Sequence, residues 1–181
     1  FEGADDFDCG FTVRKVTRAS HDSSYTPVYA ERKTIPDSYR AAAIQLQETA
    51  SPGRTLVLHF RAYNEGAAFC YSIPKQKALD EFVISKESTH FRLTDDHTSY
   101  AVYSAQGIYK KVPISKIGNN CERPLTIEME GGPVVSIGEA KLVDYARMRL
   151  SRVKHLQHTL ASSLAGSVKG RTPFTTPWRV V

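Results

Sequence analysis

Long apolar runs are missing from this chain of 181 residues. None approaches the roughly 18 residues that a membrane-crossing helix needs, so no membrane is expected among its partners. Cysteine is scarce: Cys9, Cys70 and Cys121 are too few to staple a small disulfide scaffold. No group of His, Cys and Asp has metal-ligand spacing, which argues against a metal site. Neither a glycine-rich phosphate loop nor a G-x-S-x-G elbow occurs, and no cofactor is expected. A charged-then-apolar leader is also missing. The opening Phe1-Glu2-Gly3-Ala4-Asp5-Asp6 suits a mature protein whose signal peptide has been removed. No internal repeat or low-complexity tract is found.

What is present is ordinary for a globular protein: 41% hydrophobic and 24% charged residues. The net charge of +5 is unevenly spread. From Gly138 onward lie eight of the 24 basic residues but only two of the 19 acidic ones, so the first 137 residues carry a balance of −1. An acidic partner would be attracted first to the C-terminal quarter.

The coarse pattern predicts one helix followed by turn-linked strands. Phe7 to Val16 reads as a first strand and Thr17 to Tyr29 as a polar loop. Asp37 or Ser38 can cap a helix running to Glu48, with Ala42, Ala43, Leu46 and Ala50 at helical spacing. Ser51-Pro52-Gly53 ends it. Thr55–Tyr63, Ala67–Ile73, Phe82–Ser85, Ser99–Ser104 and Ile108–Ile114 then read as strands, separated by breakers. Residues 138–165 give the clearest helix, because Leu142, Ala146, Leu150, Val153, Leu156, Leu160 and Leu164 advance by three or four. The expected fold is therefore α+β, one helix on an antiparallel sheet with an added C-terminal helix. The expected domains are 1–121 and an extension over 122–181.

His59 stands six residues before Glu65-Gly66 in His59-Phe60-Arg61-Ala62-Tyr63-Asn64-Glu65-Gly66. Glu81 follows in Asp80-Glu81-Phe82-Val83-Ile84, and Cys9-Gly10 and Cys121 flank the whole. Over roughly residues 7–121 this layout resembles the small guanyl-preferring fungal ribonucleases. The resemblance implies a Cys9–Cys121 disulfide. Such a bridge closes about 113 residues and is worth roughly 4–5 kcal/mol in the chain-entropy model. Spacing alone equally allows three free thiols. The resemblance also makes His59 and Glu81 remnants of a catalytic set. Tyr100 and Ser115 stand where the family has an arginine and an acid histidine, and neither residue can fill those roles.

The ribonuclease-like secreted effectors of powdery-mildew and related fungi are similar too, through Phe7-Asp8-Cys9, the closing cysteine and the lost catalytic residues. That likeness implies a non-catalytic virulence protein, secreted and acting inside plant cells by binding a host protein such as an immune receptor, or RNA. For RNA, the basic residues Arg147, Arg149, Arg152 and Lys154 are the candidates. Two other readings stand beside it. One is an active ribonuclease cleaving single-stranded RNA with His59, Glu81 and a relocated His90 or His97. The other is a plain RNA-binding module whose contacts come from the basic helix.

Overall fold

The computed structural model describes residues 6–181. The first five residues of the opening read above as a mature start lie outside that range. Among the described residues there are fifteen strands and one short 3-10 turn, Ile114–Lys116. The expected α+β class is therefore overturned, and the fold is all-β. The chain divides into two compact units: Cys9–Asp80 with Thr172–Thr176, and residues 6–8 with Glu81–Arg171 and Pro177–Val181. The boundary expected at Cys121 does not match this division.

The first unit is an antiparallel sheet in chain order: β1 (Phe11–Tyr25), β2 (Ile35–Glu48), β3 (Thr55–Tyr63) and β4 (Gly66–Ile73). A short strand from the chain's far end, Phe174–Thr175, pairs with β4. The helix expected over 37–48 is instead β2, hydrogen-bonded to a neighbour on each side. Its alanines fit a helix by propensity. The cross-strand partners decide otherwise, because Ile44 meets Leu58 and Ala42 meets Phe60 on one face. In the next ladder Leu58 meets Tyr71 and Phe60 meets Phe69 on that same face. Of the polar stretch read as a loop, Thr17 to Tyr29, the part up to Tyr25 belongs to β1 and pairs through to Ile35. β1 is exposed almost throughout, and its Arg14, Lys15, Arg18 and Asp22 suit a strand with solvent around it. A register shift between Val13 and Lys15 leaves Arg14 as the extra residue, and its Nε donates to Gln47 Oε1 at 2.8 Å.

Gly53 closes the β2–β3 turn with φ +72, a conformation that a side chain strains. Beside it Arg54 and Glu48 form a forked pair. Arg54 Nε donates to Glu48 Oε2 at 2.7 Å and Nη2 to Oε1 at 2.6 Å, both side chains being nearly buried.

The second unit holds most of the apolar core. Its strands are β5 (Glu81–Ile84), β6 (His90–Arg92), β7 (Thr98–Ala101), β8 (Lys110–Pro113), β9 (Leu125–Glu128), β10 (Val134–Ala140), β11 (Met148–Arg152), β12 (Thr159–Leu164) and β13 (Val168–Arg171). With Phe174–Thr175 as β14, the last strand is β15 (Trp178–Val180). Within this unit β15, β10, β9, β7 and β8 lie side by side, β12 lies between β11 and β6, and β13 pairs with β5. Alternation drives the burial: Leu125 and Ile127 on β9, and Met148 and Leu150 on β11, are fully buried while their neighbours are not.

The helix expected over 138–165 is absent. Those residues form the last three positions of β10, all of β11 and β12, and their turns. Lys141, Asp144 and His158 have φ of 58, 49 and 49, which no right-handed helix contains. The leucine stripe is split accordingly, with Leu150 and Leu160 fully buried and Leu156 40% exposed in a turn. Cys121 does not close a domain. It is buried inside this unit, where its backbone exchanges hydrogen bonds of 2.7 and 2.8 Å with Leu150.

The Glu48–Arg54 pair yields a pH-dependent prediction. The Arg54 hydrogen bond outweighs burial and holds the Glu48 carboxyl below its usual value. A depressed carboxylate contributes stability that is complete above its unfolded pKa and lost as pH falls through the lower folded value. Glu48→Gln should therefore lower unfolding free energy at pH 7 by about 2 kcal/mol. Urea melts should show that deficit shrinking below about pH 4, where carboxylates protonate. A deficit that stays constant down to acid would disprove the account.

Candidate functional site

The residues singled out from sequence are divided between the two units. His59 on β3 sits opposite Ala43 and Cys70, with Nε2 2.7 Å from Ser72 Oγ. Burial, helped by the Arg61 charge, pulls its pKa down. Glu81 opens β5 in the other unit, exposed and 3.6 Å from Arg171. His90 is exposed on β6, while His97 is buried with Nε2 2.9 Å from Thr94 Oγ1. Ser115 is no vacated acid position. Its hydroxyl and N–H donate to Asp96 at 2.6 and 2.7 Å, anchoring the 3-10 turn and holding the Asp96 carboxyl below its usual value. Tyr100 donates to Glu128 Oε1 at 2.6 Å on the neighbouring strand. The Cys9–Cys121 bridge is likewise absent: Cys9 is exposed, and Cys121 Sγ lies 3.6 Å from the Glu122 carbonyl it donates to.

The basic quartet does not lie along a helix. Arg147 precedes β11, Arg149 and Arg152 belong to it, and Lys154 is exposed in the turn beyond. Arg147 and Arg149, two residues apart and so on one face, both donate to Glu122.

The concentrated chemistry lies elsewhere in the same unit, in a buried ionic network that the sequence reading missed. Arg179 on β15 is fully buried. Its Nε donates to Glu87 Oε1 at 2.9 Å and Nη2 to Oε2, while Nη1 donates to Glu139 Oε2 at 2.7 Å. Glu87 also accepts from Tyr145 OH at 2.9 Å and Thr89 Oγ1 at 2.8 Å. The Arg179 guanidinium lies 5.6 Å from the Tyr145 ring centre. Glu139 on β10 takes a further hydrogen bond from Arg123 Nε and two from the Met148 N–H, at 3.1 and 3.2 Å. Burial works against the charge on Arg179, but Glu87, Tyr145 and Glu139 outweigh it and raise its pKa. Arg179 lies 92 residues from Glu87 and 40 from Glu139, so no short motif announces the network. The only signal was an arginine set within the short apolar run Pro177-Trp178-Arg179-Val180-Val181.

Chemically this arrangement fixes positions. Its carboxylates are saturated by guanidinium, hydroxyl and amide donors. Among the described residues no three His, Cys, Asp or Glu side chains converge to hold a metal ion.

The description of the glycosyl-hydrolase 97 N-terminal family matches residues 1–181, and the chain belongs to that family. Solved structures agree. A glycoside hydrolase family 97 enzyme from Pseudoalteromonas sp. strain K8, in complex with acarbose, is 28% identical with a TM-score of 0.86. The match covers 96% of this chain and 28% of that one. A complex of a family 97 enzyme from the same strain with panose matches to the same degree. A β-arabinopyranosidase, 19% identical over 94% of this chain and 31% of its own, has a TM-score of 0.83 and shares the fold. The chain thus spans under a third of the solved relatives it matches. These findings overturn the ribonuclease-like effector reading, with its virulence role and its ribonuclease alternative.

Arg179 supplies the next prediction. Arg179→Met leaves Glu87 and Glu139 buried without their shared cation and should cost about 3–5 kcal/mol in urea unfolding. Arg179→Lys should recover only part of this, because an ammonium cannot reproduce the fork. Wild-type stability in the methionine variant would refute the network's role.

Cys121 yields a separate chemical prediction. Burial raises its thiol pKa, so iodoacetamide should label Cys121 only after unfolding. Rapid labelling of the native protein at Cys121 would contradict its placement.

Proposed function

We propose that this chain is the N-terminal part of a glycoside hydrolase and acts there as a positioning scaffold, while the chemistry of glycosidic cleavage belongs to other polypeptide of the enzyme. The observation that carries this reading is the family match over the whole chain, combined with its 28% share of the solved relative. The internal chemistry supports it. Cleaving a glycoside takes two carboxyl groups flanking the scissile bond, about 5–9.5 Å apart and open to the sugar. Here Glu48, Glu87, Glu122 and Glu139 are all nearly buried and all paired with arginine. The ligand class for the whole enzyme is a glycoside, as the acarbose and panose complexes of the relatives suggest.

The test has two arms. The protein alone should not hydrolyse nitrophenyl glycosides above the uncatalysed rate. Added to the remaining polypeptide of a family 97 enzyme, it should raise that polypeptide's melting temperature. Turnover by the protein alone, lost in Glu81→Gln or Glu128→Gln, would place chemistry in this chain and overturn the scaffold role. No change in melting temperature on mixing would overturn the positioning role.

A further inference from the structure

Three guanidinium groups converge on one carboxylate at the outer edge of the ionic network. Glu122 Oε1 accepts from Arg147 Nη2 at 2.9 Å and from Arg149 Nε at 3.1 Å, and Oε2 lies 3.4 Å from Arg123 Nη1. The carboxylate is the buried member, its side chain 7% exposed, while the arginine side chains are 20%, 28% and 39% exposed for Arg123, Arg149 and Arg147. The negative charge is therefore underneath and the positive charges reach outward.

The balance is not neutral. Arg123 is shared with Glu139, and Arg179 is shared between Glu87 and Glu139. Four guanidinium groups face three carboxylates, which leaves one positive charge over, at the exposed Arg147–Arg149 end. Each of these two arginines uses one N–H group on Glu122 and keeps others for a second acceptor. The strand fixes them in place. Met148 and Leu150 between and beside them are fully buried, and Arg149 faces Ser163 across the β11–β12 ladder.

We infer that Arg147 and Arg149 form an anion-binding site whose ligand is a carboxylate held by paired N–H donors, with Glu122 beneath orienting both forks. A planar guanidinium matches a carboxylate in two-point fashion, which a lysine pair would not. The carboxylate has two possible sources: a sugar acid, or an acidic side chain of polypeptide docked on this face. The site lies within one unit and does not depend on the scaffold reading.

The experiment follows the Arg149 Nε–H and neighbouring amide resonances of the protein during titration with D-glucuronate and, separately, with N-acetylglutamate amide. Glucose and sodium chloride are the controls. Saturable shifts with glucuronate alone identify a sugar acid, and with the glutamate derivative alone a side chain. Saturation with both supports the shared carboxylate chemistry. Arg147→Gln should weaken that binding roughly tenfold, the scale of one charge-assisted hydrogen bond, with the fold unchanged. Arg149→Gln provides a second, independent variant. The inference is overturned if neither carboxylate shifts the resonances beyond sodium chloride, or if both variants bind as the parent does.

Discussion

Arg179 carries a full charge at a position with no exposed surface, and that is tolerable only because other strands meet its demands. An unpaired guanidinium in such a place would cost several kcal/mol. Glu87, in the segment between β5 and β6, takes two of its donors, and Glu139 on β10 takes a third. The constraint then spreads outward. Glu139 fixes the Met148 N–H at the start of β11 and ties in Arg123, and Arg123 leads to Glu122 and the Arg147–Arg149 pair. Elements far apart in sequence are thus specified by polar geometry as well as by the apolar core. Hydrophobic packing of Leu125, Ile127, Ile137 and Leu150 supplies the driving force, but any apolar residue of similar shape would pack there. The ionic network is far less permissive, since each member has directional partners.

The two units meet the folding problem differently. In the unit containing Arg179, short strands of three to seven residues surround a core with many fully buried side chains. In the other unit two strands of 14 and 15 residues make one long ladder, and apolar burial is confined to Ala68, Cys70 and Ile73. There the specification comes from register. Ile44, Leu58 and Tyr71 align across three strands, and a slip of one residue would turn all of them to the opposite face. The Glu48–Arg54 fork fixes that register beside the β2–β3 turn.

Several strands were legible in the sequence because their signals are local. Thr55–Tyr63 begins and ends where β3 does, and the runs around Ala67–Ile73, Phe82 and Ser99 lie on β4, β5 and β7. The helix expected over 138–165 was misread for a definite reason. Leucine and alanine at intervals of three and four also arise when inward positions of successive short strands are strung together through turns. Leu150 and Leu160 are buried on separate strands, and their spacing reflects loop length rather than helical pitch. The turn signals that would have revealed this are Lys141, Asp144 and His158 at positive φ, residue types that also sit comfortably in helices. The ionic network was illegible because its partners are tens of residues apart, and a single sequence contains no pairing information at that range.

The ribonuclease resemblance failed on the same physics. His59 and Glu65-Gly66 keep their interval because they lie on a hairpin: Tyr63 pairs with Gly66 around the two-residue turn Asn64-Glu65, and His59 pairs with Cys70 four positions down the ladder. A histidine followed by a glycine-closed turn is what any such hairpin offers, whatever its chemistry. Ser115 and Tyr100 looked like losses from a catalytic set, yet each has a full structural role, on Asp96 and on Glu128. A short motif therefore carries functional information only where the fold brings its members to one place. In this protein the members that do meet are Arg179, Glu87 and Glu139, and their meeting serves to hold strands at fixed positions.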